Sequence, residues 1–145
     1  MQTFDELQNG QFGYLISQAR NAVFAALDKE MLPLDLTASQ FVVVINAMRG
    51  RARTVNEFCQ LAGVEPGPMS RLLDRLEAKG LVRRVRDLDD RRQVNVTLTE
   101  KGAALYPQIT AGTHKVYGKL LNGFSEQEAL AFKHALEKIL LNAKQ

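Results

Sequence analysis

The chain has 145 residues, 46% of them apolar and 24% charged, a composition suited to one folded domain and not to a disordered chain. One cysteine and two histidines exclude a disulfide framework and a four-ligand zinc site, and no cofactor is expected. The net charge is +3, but ten of the eleven arginines fall between Arg49 and Arg92, where the net charge is +4. A cluster of planar donors that grip phosphates and guanine edges points to DNA. The longest apolar runs fall far short of the roughly 20 residues that cross a bilayer. No membrane association is expected, and with nothing like a signal peptide near Met1 the expected compartment is the cytoplasm.

In chain order, residues 11–30 carry Phe12, Leu15, Ile16, Ala19, Val23 and Leu27 at three- and four-residue spacings, which predicts a helix with one apolar stripe. The stretch from Leu32 to Leu36 breaks it. Thr37 and Gln40 form a capping box for a second, unusually apolar helix that stops near Gly50, with Leu36 and Phe41 as a staple.

Thr54 and Glu57 form the next capping box, opening a short helix that presents Val55, Phe58, Cys59 and Ala62 on one face and ends at Gly63. Pro66 suits the first turn of the following helix, because its missing N–H would be unpaired there. Met69, Leu72, Leu73 and Leu76 form that helix's inward stripe, and it reaches Lys79 with Gly80 as C-cap. Its outer face carries Ser70, Arg71, Asp74 and Arg75. Two short helices joined by a tight turn, the second presenting arginines, match a helix-turn-helix.

Residues 81–86 and 93–98 then alternate with period two, predicting paired strands around a charged hairpin tip, a wing beside the helix-turn-helix. Thr99 caps a helix expected over 100–121, bent or weakened at Pro107, Gly112 and Gly118. Ser125 and Glu128 open a last helix bearing Leu130, Phe132, Leu136, Ile139 and Leu140. Long apolar-striped helices at both ends need a partner surface, and a homodimer supplies it. The expected division is a dimerisation helix and linker over 1–36, a DNA-binding unit over 37–99 and dimerisation helices over 100–145.

The wing carries a resemblance. Asp90-Arg91-Arg92 followed by the run from Val94 to Gly102 resembles the signature of MarR-type winged-helix regulators. The stretch from Ser70 to Val82 resembles that family's recognition helix running into its wing, and Leu36, Thr37 and Gln40 match the start of the preceding helix. The fold implied is mainly α (α+β): a winged helix-turn-helix with a two-stranded wing, flanked by dimerisation helices. The resemblance implies a homodimer that represses from a palindromic double-stranded operator and is released by a small aromatic acid or phenolic effector. An activator, and a regulator switched by oxidation of Cys59, are the alternatives within that class. A dimeric adaptor that binds no DNA is the alternative outside it.

Residue by residue, the resemblance places Arg71 and Arg75 on the DNA-proximal helix, where each can reach a phosphate or a guanine. Ser70 can donate or accept at the same surface. Gly67 and Pro68 stand where the family usually has small hydroxyl residues, which shifts weight toward the wing and DNA shape. Asp90 and Arg92 carry over as an acid-base pair, with Arg92 expected to enter a minor groove and Asp90 to hold its guanidinium; beside them Arg84, Arg86 and Arg91 are candidate phosphate contacts. Phe12, Tyr14, Met31, Phe41 and Met48 are candidates to line an effector pocket. Arg49 or Arg53 could pair with an acidic effector or contact DNA. Cys59 reads as a core thiol, and His114 and His134 as ordinary satisfied or exposed histidines. No nucleophile–base–acid set or glycine-rich phosphate loop appears, so no enzymatic activity and no metal site are expected.

Overall fold

A computed structural model describes residues 2–145. A short helix α1 (Gln2–Glu6) leads through a kink at Asn9 and Gly10 into α2 (Phe12–Met31). The 3-10 turn Leu32–Leu34 follows, with Asp35 in the left-handed region at φ 56°. Next come α3 (Ala38–Met48), α4 (Val55–Ala62), α5 (Pro66–Ala78), strands β1 (Val82–Arg86) and β2 (Val94–Leu98), α6 (Glu100–Ala103), α7 (Tyr106–Leu120) and α8 (Glu126–Ala143). Among the described residues, no single helix is long and apolar enough to cross a membrane.

The helix starts follow local chemistry. Thr37, Thr54 and Ser125 each accept the backbone N–H three residues on, while Gln40, Glu57 and Glu128 return the bond to the cap's own N–H. Each box satisfies two amide donors that would otherwise lack a partner, worth about 1 kcal/mol per cap. Gly63 ends α4 at φ 64°, a conformation that lets the chain turn tightly into α5. The expected helix over 100–121 is two helices. Leu105 N–H bonds to the Gly102 carbonyl in a tight turn, and Pro107, which has no N–H to give, starts α7 afresh.

The core centres on α3, whose Phe41, Val43, Val44 and Ile45 are buried on two faces. Met69, Leu73 and Leu76 of α5, Phe58 of α4, Val82 and Val96 of the wing, and Ile109 of α7 close around it. The wing is antiparallel, with Val82 opposite Leu98 and Arg86 opposite Val94. Its base is held from below: Thr99 Oγ1 donates to the Gly80 carbonyl at 2.6 Å and accepts the Gly102 N–H at 3.0 Å. Gly102 lies so close to Leu81 that a side chain there would collide with the Leu81 carbonyl oxygen.

The predicted stripe of α2 divides along its length. Leu27 and Met31 are buried, Val23 is half-buried, and Phe12, Leu15 and Ile16 are exposed. On α8, Leu130, Phe132, Leu136, Ile139 and Leu140 are all exposed, and the helix has no buried residue.

Candidate nucleic-acid interface

Pro66 begins α5 without a side-chain cap. Because Pro66 and Pro68 have no N–H and the Met69 N–H donates to the Glu65 carbonyl at 3.0 Å, the first turn has few backbone donors to offer. Gly67, Pro68, Ser70, Arg71 and Arg75 are all exposed on this end and outer face, while Met69, Leu73 and Leu76 anchor the inner face. Ser70 is less free than its exposure suggests, because its Oγ accepts from Arg84 Nη1 at 3.4 Å.

Arg84 differs from expectation. Alternation along β1 puts it on the same strand face as buried Val82, toward α5, where Asp74 and Glu77 sit three residues apart on one helical face. Its guanidinium bonds both carboxylates and its side chain is only 26% exposed. Those two acids, Asp74 first, raise its pKa. Arg84 is therefore a brace between wing and recognition helix rather than a free phosphate contact.

At the wing tip Asp90 Oδ1 accepts both the backbone N–H of Arg92 at 3.1 Å and its Nε at 3.2 Å. The Arg92 side chain is 91% exposed, so the pair sets its direction without hiding it. Arg86 Nη1 donates to the Arg91 carbonyl at 3.1 Å, and Arg91 itself is exposed.

Asp87 is the wing residue that sequence reading passed over. It is 7% exposed; its Oδ1 accepts the N–H groups of Asp89 at 2.8 Å and Asp90 at 3.2 Å. Its Oδ2 accepts Asn95 Nδ2 at 3.1 Å and Arg53 Nη2 at 3.4 Å. The Asp89 N–H, followed by the Asn95 amide, holds this carboxyl below the usual aspartate range. An aspartate two residues before a turn amide is an Asx-turn pattern, so a signal was present in the sequence.

The six residues expected to line one effector pocket are dispersed. Phe12 and Met31 stand 19 residues apart on one helix, about 28 Å at 1.5 Å per residue, too far for a single pocket. Met31 is fully buried beneath Gly112, Met48 is half-buried at the end of α3, and Tyr14 is exposed. Phe12 lines an apolar groove of about 620 Å³ together with Phe132 and Leu136. Phe41 and Arg49 do line a shared cleft, of about 430 Å³, between α2, α3 and α7. Arg51, His114 and Tyr117 line it too, and burial raises the Tyr117 pKa. The last two lie three residues apart on α7, a same-face spacing visible in the sequence.

Cys59 is half-buried on α4, and desolvation, then the nearby Glu65 charge, raises its thiol pKa. Both effects keep it protonated and weakly nucleophilic.

This architecture has known counterparts. The MarR family model matches residues 33–93. The multiple antibiotic resistance protein MarR of Escherichia coli is 30% identical over 136 residues, covering 90% of each chain. A crystal structure of a mutant of that protein complexed with operator DNA superposes with TM-score 0.81, covering 92% of this chain and 96% of that one. The transcriptional repressor MdtR of Bacillus subtilis is 27% identical over 86% of this chain and 83% of its own. BpsR of Bordetella bronchiseptica, whose DNA binding is regulated by 6-hydroxynicotinic acid, superposes with TM-score 0.77 at 27% identity, covering 89% of this chain and 98% of that one. With its cassette of exposed arginines on a helix and a wing, the chain belongs to the MarR family of winged helix-turn-helix transcriptional regulators.

Proposed function

We propose that the protein is a homodimeric repressor that binds a palindromic operator and releases it when a small aromatic acid or phenol occupies the cleft between α2, α3 and α7. The carrying observation is the pairing of two exposed basic elements on one rigid unit. Gly67, Pro68, Ser70, Arg71 and Arg75 face outward on α5, and Arg92 projects from the wing under the control of Asp90. Residues 37–99 act as the DNA-binding domain. The N-terminal end of α5 enters a major groove, and Arg92 enters the flanking minor groove, favouring A/T-rich sequence whose narrow groove concentrates negative potential. Arg86 and Arg91 neutralise phosphates.

Residues 1–36 and 100–145 form the dimer scaffold, supported by the exposed apolar faces of α2 and α8. Two-fold symmetry then sets two recognition helices about 34–36 Å apart. The repressor reading is supported by the naming of MdtR. The effector reading is supported by a cleft of about 430 Å³, within the usual range for small ligands, whose apolar wall ends at Arg49, Arg51 and His114. A ring would lie against Phe41 and Val23 with its carboxylate toward the arginines.

Selection of bound sequences from a random duplex pool tests the first half: a palindrome with A/T-rich flanks is expected. Recovery of no sequence preference would refute operator recognition. For the second half, hydroxynicotinic and hydroxybenzoic acids are titrated against the selected complex. Release by wild type but not by Arg49→Ala is expected, and release from both at equal concentration would remove the cleft from the reading. The operator's position relative to the promoter then distinguishes repression from activation.

A further inference from the structure

We propose that Asp87 is a positioning residue for DNA recognition, fixing the minor-groove arginine of the wing at one distance from the recognition helix. The inference rests on the reading of Arg92 given above and extends it to a residue that makes no DNA contact.

The Asp90–Arg92 pair is local. It orients Arg92 relative to the hairpin tip but says nothing about where the tip stands relative to α5. A two-stranded hairpin has little rigidity of its own, so its angle must be set by bonds to the rest of the fold. Arg84 ties the middle of β1 to α5, and the bonds that reach on toward the tip converge on a second place. The segment leading into α4 is tied to β2 by the Val96 N–H donating to the Arg53 carbonyl at 2.8 Å, and by a bridge between Thr54 and Asn95. Asp87 extends that tie to the tip: Oδ2 holds Arg53 and Asn95, and Oδ1 holds the amides of Asp89 and Asp90. Its own N–H donates to the Gln93 carbonyl, and the Gln93 N–H donates to the Asp90 carbonyl, each at 3.0 Å, closing the turn.

Asn95 shows how strongly the site is organised around this carboxylate. It gives its amide N–H to Asp87 even though its Oδ1 is then buried without a partner among the described residues. A buried, unsatisfied oxygen is costly, and the opposite amide orientation would set oxygen against carboxylate. One carboxylate thus joins the leader of α4 to the backbone of the residue that aims Arg92. Because Phe58 of α4 and Leu73 of α5 belong to one core, and Arg84 already fixes the strands against α5, the remaining freedom of the tip relative to the recognition helix passes through Asp87.

The consequence is a spacing rule. With Asp87 in place, the A/T-rich flank must lie at one fixed number of base pairs from the major-groove core. Without it, the tip swings and the rule relaxes. The test compares pools selected from random duplex by wild type, Asp87→Ala and Arg92→Ala, followed by affinity measurements on the wild-type winner and on the same duplex with its A/T flank moved by one base pair. Wild type should lose about tenfold on the shifted duplex, and Asp87→Ala should lose no more than about twofold to threefold. Penalties for substituting the core bases should be the same for both proteins. An Asp87→Ala protein with the wild-type penalty on the shifted duplex overturns the proposal. If Arg92→Ala keeps the A/T preference, the minor-groove reading itself fails, a distinct result. Thermal melting checks folding. Should Asp87→Ala not fold, Asp87→Asn and Arg53→Ala carry the same comparison, and full retention of the shifted-flank penalty in both also overturns the proposal.

Discussion

Lys79 Nζ donates to Gln40 Oε1 at 2.8 Å, joining the end of the recognition helix to the first turn of α3. The same ammonium bonds the Asp35 carbonyl in the linker from α2. Gln40 is 3% exposed and its Oε1 also accepts the Thr37 N–H, so one oxygen serves both a helix cap and an inter-helix tie. Lys79→Met removes a charged donor while keeping most of the stem. Stability to urea should fall by about 1–2 kcal/mol, the range for a hydrogen bond to a charged group with partial exposure. An unchanged midpoint would show that water replaces the ammonium without cost.

Gly102 supports the other end of the wing. A methyl group there would run into the Leu81 carbonyl oxygen and lie 3.3 Å from Leu98 Cδ2. Backbone cannot move aside as a flexible side chain can, so Gly102→Ala should destabilise by about 3 kcal/mol, the upper end for overpacking. The denaturant midpoint measures it. A wild-type midpoint would mean that α6 shifts freely against the wing base.

Much of this was legible in advance. The three capping boxes, Pro66 and the turn at Gly63 are chemical necessities of helix ends, so they mark boundaries without tertiary information. The period-two strands and Asp90-Arg92 were legible for the same reason: their partners lie close in sequence. Arg84 was not, because its role depends on Asp74 and Glu77 across a packing contact that periodicity does not encode. The dispersal of Phe12 and Met31 was hidden because a helical stripe gives the face of a residue and not whether the helix outruns its neighbours. The break before α7 was foreshadowed only as a bend at Pro107.

Asp87 also confers a pH dependence. Its folded-state pKa is depressed, first by the Asp89 N–H and then by the Asn95 amide. A depressed carboxylate contributes stability that is complete above the unfolded value, about 3.9, and is lost as pH falls through the lower folded value. The melting-temperature gap between wild type and Asp87→Asn should therefore hold steady from pH 7 to 5 and shrink below about 4. Glu128, depressed by its bonds to Ser125, follows the same sign at the start of α8. A gap that widens with acidity would contradict the assignment.

Cys59 should be a poor sensor. Its raised pKa lowers the thiolate fraction at neutral pH, and partial burial limits access. Labelling by a disulfide reagent at pH 7 should run slower than for free cysteine, and DNA binding should survive peroxide. Rapid labelling accompanied by loss of binding would restore a redox role.

The strongest prediction concerns α8. This 18-residue helix has no buried residue and exposes Leu130, Phe132, Leu136, Ile139 and Leu140. Most helix stability in proteins comes from packing of an apolar face, and so large an exposed apolar surface marks an interaction site. Phe132 and Leu136 share the groove of about 620 Å³ with Phe12, Leu15 and Ile16 of α2, the surface that the proposed homodimer would cover. Replacing Phe132 and Leu136 together with aspartate places charge where a partner must desolvate it. Light scattering should then report monomers, and circular dichroism a loss of helix confined to about one helix's worth. Because α8 contributes no buried residue to the core around α3, affinity for a single half-site should change little. Affinity for the full palindrome should fall by about a hundredfold or more, as each half-site no longer raises the effective concentration of the other. The slope of log affinity against log salt should drop toward half, since half the phosphates are neutralised per binding event. A double variant that stays dimeric with full operator affinity would place the interface elsewhere.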